Sequence, residues 1–231
     1  MQPVLVEVET LRQLVRNGLV QAGGQETPKV ALCHDRLVEV STTSAAIVAG
    51  GRARRFGGVD KSRLLVEGRT IIVRQLEVLQ TVADDIFVAG GMTERFADLS
   101  LRAFSDEIPD AGALGGILTA LTHARHDAVL VVACDMPFLD AALLRRLVER
   151  SDGRDGAWVR SPRGVEPLVA CYRRSAQTHV QARIAAGQLK AADLGLVLAM
   201  ADVPLAEVAG FGSPERLLTN VNTPDDYARV Q

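Results

Sequence analysis

Residues 128–133 read Ala-Val-Leu-Val-Val-Ala, six apolar residues with no polar alternation. A strand with one face in water alternates apolar and polar positions. A strand apolar on both faces must be covered on both, as in the middle of a parallel sheet packed between helices. The stretches around this run fit that setting. Residues 45–49, 85–89 and 101–105 read as strands, and 70–80, 113–123 and 140–149 as helices, with Asp140 placed to cap the last. Such alternation predicts right-handed βαβ units and an α/β fold, an open, mostly parallel, Rossmann-like sheet with helices on both faces. After residue 156 the order loosens. Strands are expected at 157–160 and 168–172 about a turn at 161–164, then a helix at 175–186 and a strand at 196–200. A short last helix opens at Pro224.

Residues 1–44 differ in character from the rest of the chain. An amphipathic helix is expected over 8–20, and two short strands, 30–32 and 37–40, flank a turn at His34-Asp35. The segment carries no chemical motif. It reads either as a small appendage of unknown role or as translated sequence ahead of the true start, with the main domain at 45–231.

Composition excludes several classes. The net charge of −2 leaves no global basic field of the kind non-specific nucleic-acid binders use. Cys33, Cys134 and Cys171 are odd in number and lack CxxC spacing, which argues against a disulfide framework or a zinc site and suits a reducing cytoplasm. No apolar run has the length of a membrane span, and the acidic start at Glu7 and Glu9 is not a signal peptide.

Ligands of open parallel sheets bind beyond the carboxyl ends of the strands. Three motifs fall there. After the first strand comes Gly50-Gly51-Arg52-Ala53-Arg54-Arg55-Phe56-Gly57-Gly58-Val59-Asp60-Lys61. Its glycines let backbone N–H groups approach phosphate oxygens, and its cations neutralise phosphate charge. It lacks the Gly-Lys-Ser/Thr of a P-loop and the GxGxxG spacing of a dinucleotide fingerprint. Lys61 supplies a point charge and Arg55 a planar fork for bidentate contacts. The second motif, Cys134-Asp135-Met136-Pro137, follows the apolar strand. A carboxylate there, facing a triphosphate, is what Mg²⁺ requires, which makes Asp135 the candidate metal ligand. The third is Asp106 with the loop Asp110–Gly116. Asp60 reads as structural, and Cys134 as apolar filler.

Taken together, Val48–Lys61, "DAGALGGI" (110–117), "ACDMP" (133–137), "EPLVACYR" (166–173) and "NVNTPDD" (220–226) resemble the molybdenum cofactor guanylyltransferases, in family order. The resemblance implies a nucleotidyltransferase fold of the GT-A-like superfamily, with a nucleotide half at about 45–150 and a less regular acceptor half at about 151–231. It implies transfer of GMP from Mg²⁺-GTP to the phosphate of molybdopterin or Mo-molybdopterin. It implies that Val48, Ala49, Gly50 and Gly51 line the nucleotide loop, that Arg55 and Lys61 contact phosphates, that Asp106 sits at the nucleotide and that Asp135 holds Mg²⁺. On the acceptor side it points to Asn220, Asn222 and Lys190, and it names molybdenum insertion proteins and molybdoenzyme chaperones as candidate partners. Gly50 stands where cytidylyl-transferring relatives tend to carry alanine, which tilts the choice to GTP.

The chain also departs from the family. Ala89 replaces a frequent Asn, Ala113 and Ala133 replace prolines, and Gly187 is followed by Gln188, Leu189 and Lys190 rather than arginines. The nucleotide half matches better than the acceptor half. Two alternatives therefore stay open: a nucleotidyltransferase using CTP or acting on a sugar phosphate or a cobinamide, and a non-catalytic nucleotide-binding module.

Overall fold

In the computed structural model, which describes residues 30–33, 36–39, 42–49, 60–91 and 93–231, the apolar run at 128–133 is the middle strand of a seven-stranded sheet. The chain divides into two compact units, 1–40 and 41–231. In the first, β1 (Val30–Cys33) and β2 (Arg36–Glu39) form an antiparallel pair. The expected helix at 8–20 and the turn at His34-Asp35 lie outside the described residues.

The second unit runs β3 (Thr43–Val48), the hairpin β4 (Leu65–Val66) and β5 (Arg69–Thr70), α1 (Ile71–Leu79), β6 (Asp85–Ala89), β7 (Arg102–Phe104), α2 (Gly112–His123) and β8 (Ala128–Ala133). It continues with α3 (Ala141–Arg150), β9 (Gly156–Ser161), β10 (Gly164–Arg173), α4 (Ala176–Ala185), β11 (Met200–Pro204), and the short helices α5 (Leu205–Val208), α6 (Pro214–Leu217) and α7 (Pro224–Ala228). Single 3₁₀ segments occupy Lys61–Arg63, Thr93–Leu99 and Ala191–Leu196. The main sheet is ordered β7-β6-β3-β8-β10-β9-β11. Its neighbours are parallel except where β10 runs antiparallel to β8 and β9.

The two-residue period of the strands sorts the core into two layers. Ala45, Ile47, Leu130 and Val132 pack with Ile72, Leu76, Leu143 and Leu147 of α1 and α3. Ala46, Val48, Val129 and Val131 pack with Leu114, Ile117, Leu121 and Val180 of α2 and α4. Helix α2 lies tight against β3 because Gly116 has no side chain: a Cβ there would stand 2.4 Å from Cγ1 of Val48. A glycine inside a helix costs about 1 kcal/mol relative to alanine. Here it allows the helix to reach the end of the strand that leads into the glycine-rich loop.

Chain direction fixes where a ligand can sit. From β3 the chain crosses to β6 and β7. From β8 it leaves the opposite way, to β9 and β10. Such a switch opens a crevice beyond the carboxyl ends of the two strands. At their amino ends, Asp85 is buried and accepts Ser44 Oγ (2.6 Å) and the Arg125 backbone N–H (3.0 Å), and it pairs with Arg102. That network ties strands together on the side away from the crevice.

One expected strand is displaced. Residues 196–200 do not form it; β11 spans Met200–Pro204, parallel to β9 with Met200 opposite Gly156. The apolar run Leu196-Val197-Leu198 is the misleading signal. Leu196 ends a 3₁₀ turn and is 78% exposed, whereas Ala201 and Val203 alternate inward from Asp202 and Pro204.

Candidate active site

Lys61 opens the 3₁₀ turn that follows the glycine-rich loop, and Asp60 builds that turn. The Asp60 carboxylate accepts from the Ser62 backbone N–H (3.0 Å) and Ser62 Oγ (2.7 Å), and its second oxygen pairs with Arg95 at 2.7 Å. Burial pushes the Asp60 carboxyl up, but the Arg95 and Ser62 hydrogen bonds outweigh it and hold the group below the usual carboxylate range. With its base fixed, Lys61 extends Nζ to 2.8 Å from Asn222 Oδ1 and 3.3 Å from Asp135 Oδ2. Three segments far apart in sequence thus meet on one ammonium group. Gly50, Gly51 and Arg55 lie outside the described residues. Val48, the last residue of β3, and Ala49 after it are both buried just before them.

Asp135 sits on the turn after β8, and that turn is held from several sides. The Cys134 N–H donates to Val48 O (3.1 Å), which carries the β3–β8 pairing one residue past the strand. The Val221 N–H donates to Asp135 O (2.9 Å). Gln75, 1% exposed on α1, donates Nε2 to Ala133 O (2.7 Å) and Met136 O (3.0 Å) and so clasps both ends of the turn. Arg74 adds a hydrogen bond to Pro137 O (3.0 Å). Burial pushes the Asp135 carboxyl up, and Lys61 pulls it back only in part. A desolvated carboxylate of this kind gains from a further cation. Burial also pushes the Cys134 thiol up to about 12, so at neutral pH it is a thiol and not a thiolate nucleophile.

Asn222 is aimed by the helix it precedes. Thr223 and Asp226 form a reciprocal capping box at the start of α7. Asp226 Oδ2 accepts from the backbone N–H groups of Thr223 (2.8 Å) and Asn222 (3.0 Å). Asn220 donates weakly to Leu218 O (3.4 Å). Both asparagines line a cavity of about 720 Å³ between the β9–β10 hairpin and the C-terminal helices. Lys190 is not on that wall. It is 76% exposed and pairs with Asp193 at 3.3 Å.

Asp106 stands just past β7, two strands from β3. Its Oδ1 is buried and has no hydrogen-bond partner among the described residues, and burial pushes its carboxyl up. Among the described residues, neither Lys61 nor Asp135 is hydrogen-bonded to it. Gly115 backs it closely: a Cβ there would lie 3.7 Å from Asp106 Cγ.

Among the described residues no group of three or more His, Cys, Asp or Glu side chains forms a cage for a metal. The single carboxylate of Asp135 suits a different kind of ion, one that keeps waters and brings phosphate oxygens with it, as Mg²⁺ does.

The family model described as "MobA-like NTP transferase domain" matches residues 45–194. The chain belongs to the MobA-like NTP transferase family. It is accordingly a nucleotidyltransferase. It is 33% identical over 189 residues to a probable molybdenum cofactor guanylyltransferase of Pelotomaculum thermopropionicum, covering 81% of this chain and 91% of that one. With a protein of the same description from Chloroflexus aggregans it shares 35% identity over 195 residues, covering 81% and 93%. Among solved structures it is similar to molybdopterin-guanine dinucleotide biosynthesis protein A of Archaeoglobus fulgidus, with a TM-score of 0.69 and 26% identity over 81% of this chain and 96% of that one.

Within this MobA-like chain, sequence reasoning passes over Gln75, Asp226 and Glu166. Gln75 occupies an inward position of an amphipathic helix, where only the fold reveals that its neighbours are carbonyls. Asp226 does carry a signal, the Thr-x-x-Asp pattern of a capping box. Glu166 lines the cavity and opens "EPLVACYR", but nothing local gives it a role.

Proposed function

We propose that the protein transfers GMP from Mg²⁺-GTP to the phosphate of molybdopterin or Mo-molybdopterin, releasing pyrophosphate and forming molybdopterin guanine dinucleotide. The observation that carries this reading is the meeting of Lys61, Asp135 and Asn222 at the crevice between β3 and β8, on the edge of a ligand-sized cavity. Val48, Ala49, Gly50 and Gly51 line the nucleotide, Arg55 and Lys61 take its phosphates, and Asp106 lies on the nucleotide side. The acceptor enters the cavity from the side of Asn220 and Asn222; Lys190, off that wall, is left to an outer contact.

In this reading an oxygen of the acceptor phosphate bonds to the α-phosphorus as the bond from that phosphorus to the bridging oxygen breaks. The pyrophosphate leaves with the bonding electrons. The attacking oxygen is already anionic, so no general base is needed. The chain's contribution is position and charge. Lys61 keeps a positive charge beside the transferring group, and Asn222 and Asp60 fix where that charge stands. Asp135 would hold Mg²⁺, whose chemistry when bound is to neutralise the charge gathering on the phosphate oxygens. The cytoplasm supplies both substrates, and molybdenum insertion proteins and molybdoenzyme chaperones are the partners expected on either side of the reaction.

The test incubates the protein with GTP, Mg²⁺ and molybdopterin and follows pyrophosphate release together with the dinucleotide product. Release that requires molybdopterin and GTP supports the reading. Release with a sugar phosphate but not with molybdopterin overturns the acceptor, and stabilisation by CTP above GTP in a thermal-shift panel overturns the nucleotide.

A further inference from the structure

The cavity beside the transfer site is walled by three carboxylates, and two of them are already engaged. Asp226 caps α7 and pairs with Arg229. Glu215 accepts from Ser213 Oγ at 2.7 Å. Glu166 is half-buried and accepts no hydrogen bond among the described residues. Its place on β10 is unusual. Val169 pairs with Val132 of β8, so Glu166, three residues earlier on an antiparallel strand, lies past the end of β8, level with the turn that carries Asp135. On the other side Glu166 pairs with Val159 and Ala170 with Trp158, so Pro167–Val169 bulge from the β9 ladder. Bulges beside sites re-aim side chains. Asn222 lines the same cavity and holds Lys61, so one ligand can reach from the transfer site to Glu166.

We infer that Glu166 reads the acceptor's ring, its two carboxylate oxygens accepting two adjacent N–H donors of a planar heterocycle. The edge of a 2-amino-4-oxo pterin presents such a pair, the 2-amino group and the neighbouring ring N–H. Paired, charge-assisted hydrogen bonds of this geometry combine strength with selectivity. Burial pushes the Glu166 carboxyl up and Arg163 offsets this only in part, so the ionised side chain gains from a ligand that brings donors. This inference rests on molybdopterin being the acceptor and adds to it the residue that selects the ring.

The experiment compares the full chain with Glu166→Gln. The probes are a fluorescent pterin bearing a terminal phosphate and its lumazine counterpart, with oxygen in place of the 2-amino group. The wild type is expected to prefer the pterin by about tenfold or more, the scale of a lost charged hydrogen bond. The glutamine amide offers one acceptor and one donor, which suits the lumazine edge, so the variant should lose or invert the preference. GTP affinity should stay unchanged and the melting temperature should not fall, since the variant also removes a carboxylate that burial disfavours. A merely structural role would weaken both probes equally, and that result overturns the inference. So does an unchanged preference in the variant, or a wild type that binds neither probe. Molybdopterin-dependent pyrophosphate release by the wild type tells these outcomes apart: if it persists, only Glu166 is wrongly assigned, and if it is absent, the acceptor itself is wrong.

Discussion

Lys61 and Asp135 form an ion pair whose side chains are only 19% and 15% exposed, at a separation of 3.3 Å. The pair holds charge in place rather than stabilising the fold strongly, since desolvation offsets much of its Coulomb attraction. Lys61→Ala is therefore expected to reduce transfer by well over tenfold, in line with charged hydrogen bonds worth about 1.5–3 kcal/mol. The circular dichroism spectrum should not change; unaltered turnover would remove Lys61 from the chemistry. Asp135→Asn should abolish metal-dependent transfer and yet raise the melting temperature at pH 7. Burial raises the folded pKa of Asp135 above its unfolded value of 3.8, so the native state holds its proton to higher pH than the unfolded chain. Stability then falls as pH rises through that window, and the full penalty is present above it. The asparagine variant escapes the penalty. Its advantage should be present at neutral pH and vanish below about pH 4, the ordinary carboxylate range. Melting curves at both pH values check this, and a variant less stable than wild type at pH 7 would contradict it.

Two elements carry the site, and each does so through one residue that a generic helix would not need. On α1, Gln75 reaches the turn after β8 and satisfies two of its carbonyls. Gln75→Leu keeps the apolar layer but leaves Ala133 O and Met136 O without that donor. A loss of about 1–3 kcal/mol in urea unfolding is expected, the cost of buried unsatisfied groups. Activity should fall as well, through kcat more than through the KM for GTP. On α2, Gly116→Ala would drive a methyl against Val48, which lies 2.4 Å from the added Cβ. Overpacking of this kind typically costs about 1–3 kcal/mol. Because Val48 leads directly into the glycine-rich loop, the same substitution should weaken GTP binding in titration calorimetry. Normal stability with normal affinity would show that the helix can slide.

At the scale of the whole molecule, the unit 41–231 contains both apolar layers, the switch between β3 and β8, and the residues that converge on Lys61. The family model likewise begins at residue 45. A chain starting at Ser41 is expected to melt within a few degrees of the full chain and to keep its transfer activity, as measured by calorimetry and pyrophosphate release. Loss of the cooperative transition would give residues 1–40 a structural role. No helix among the described residues is long and apolar enough to cross a membrane.

Local pattern alone is enough for the main architecture. The both-faces apolar run at 128–133 demands helices on either side, and the strand-helix alternation supplies them. It also places Lys61 and Asp135 after strands whose carboxyl ends share a rim. Local pattern fails where contacts are long-range. It misplaces the strand at Met200–Pro204 because apolar character cannot say which residues pair with β9. The clasp by Gln75, the aim of Asn222 onto Lys61 and the exposure of Glu166 to a cavity join residues from 61 to 222, and no sequence period spans such distances. Hydrophobic periodicity records which face of an element is buried. Only the closed tertiary structure decides which polar groups meet beyond the ends of the strands, where side chains answer to one another rather than to water.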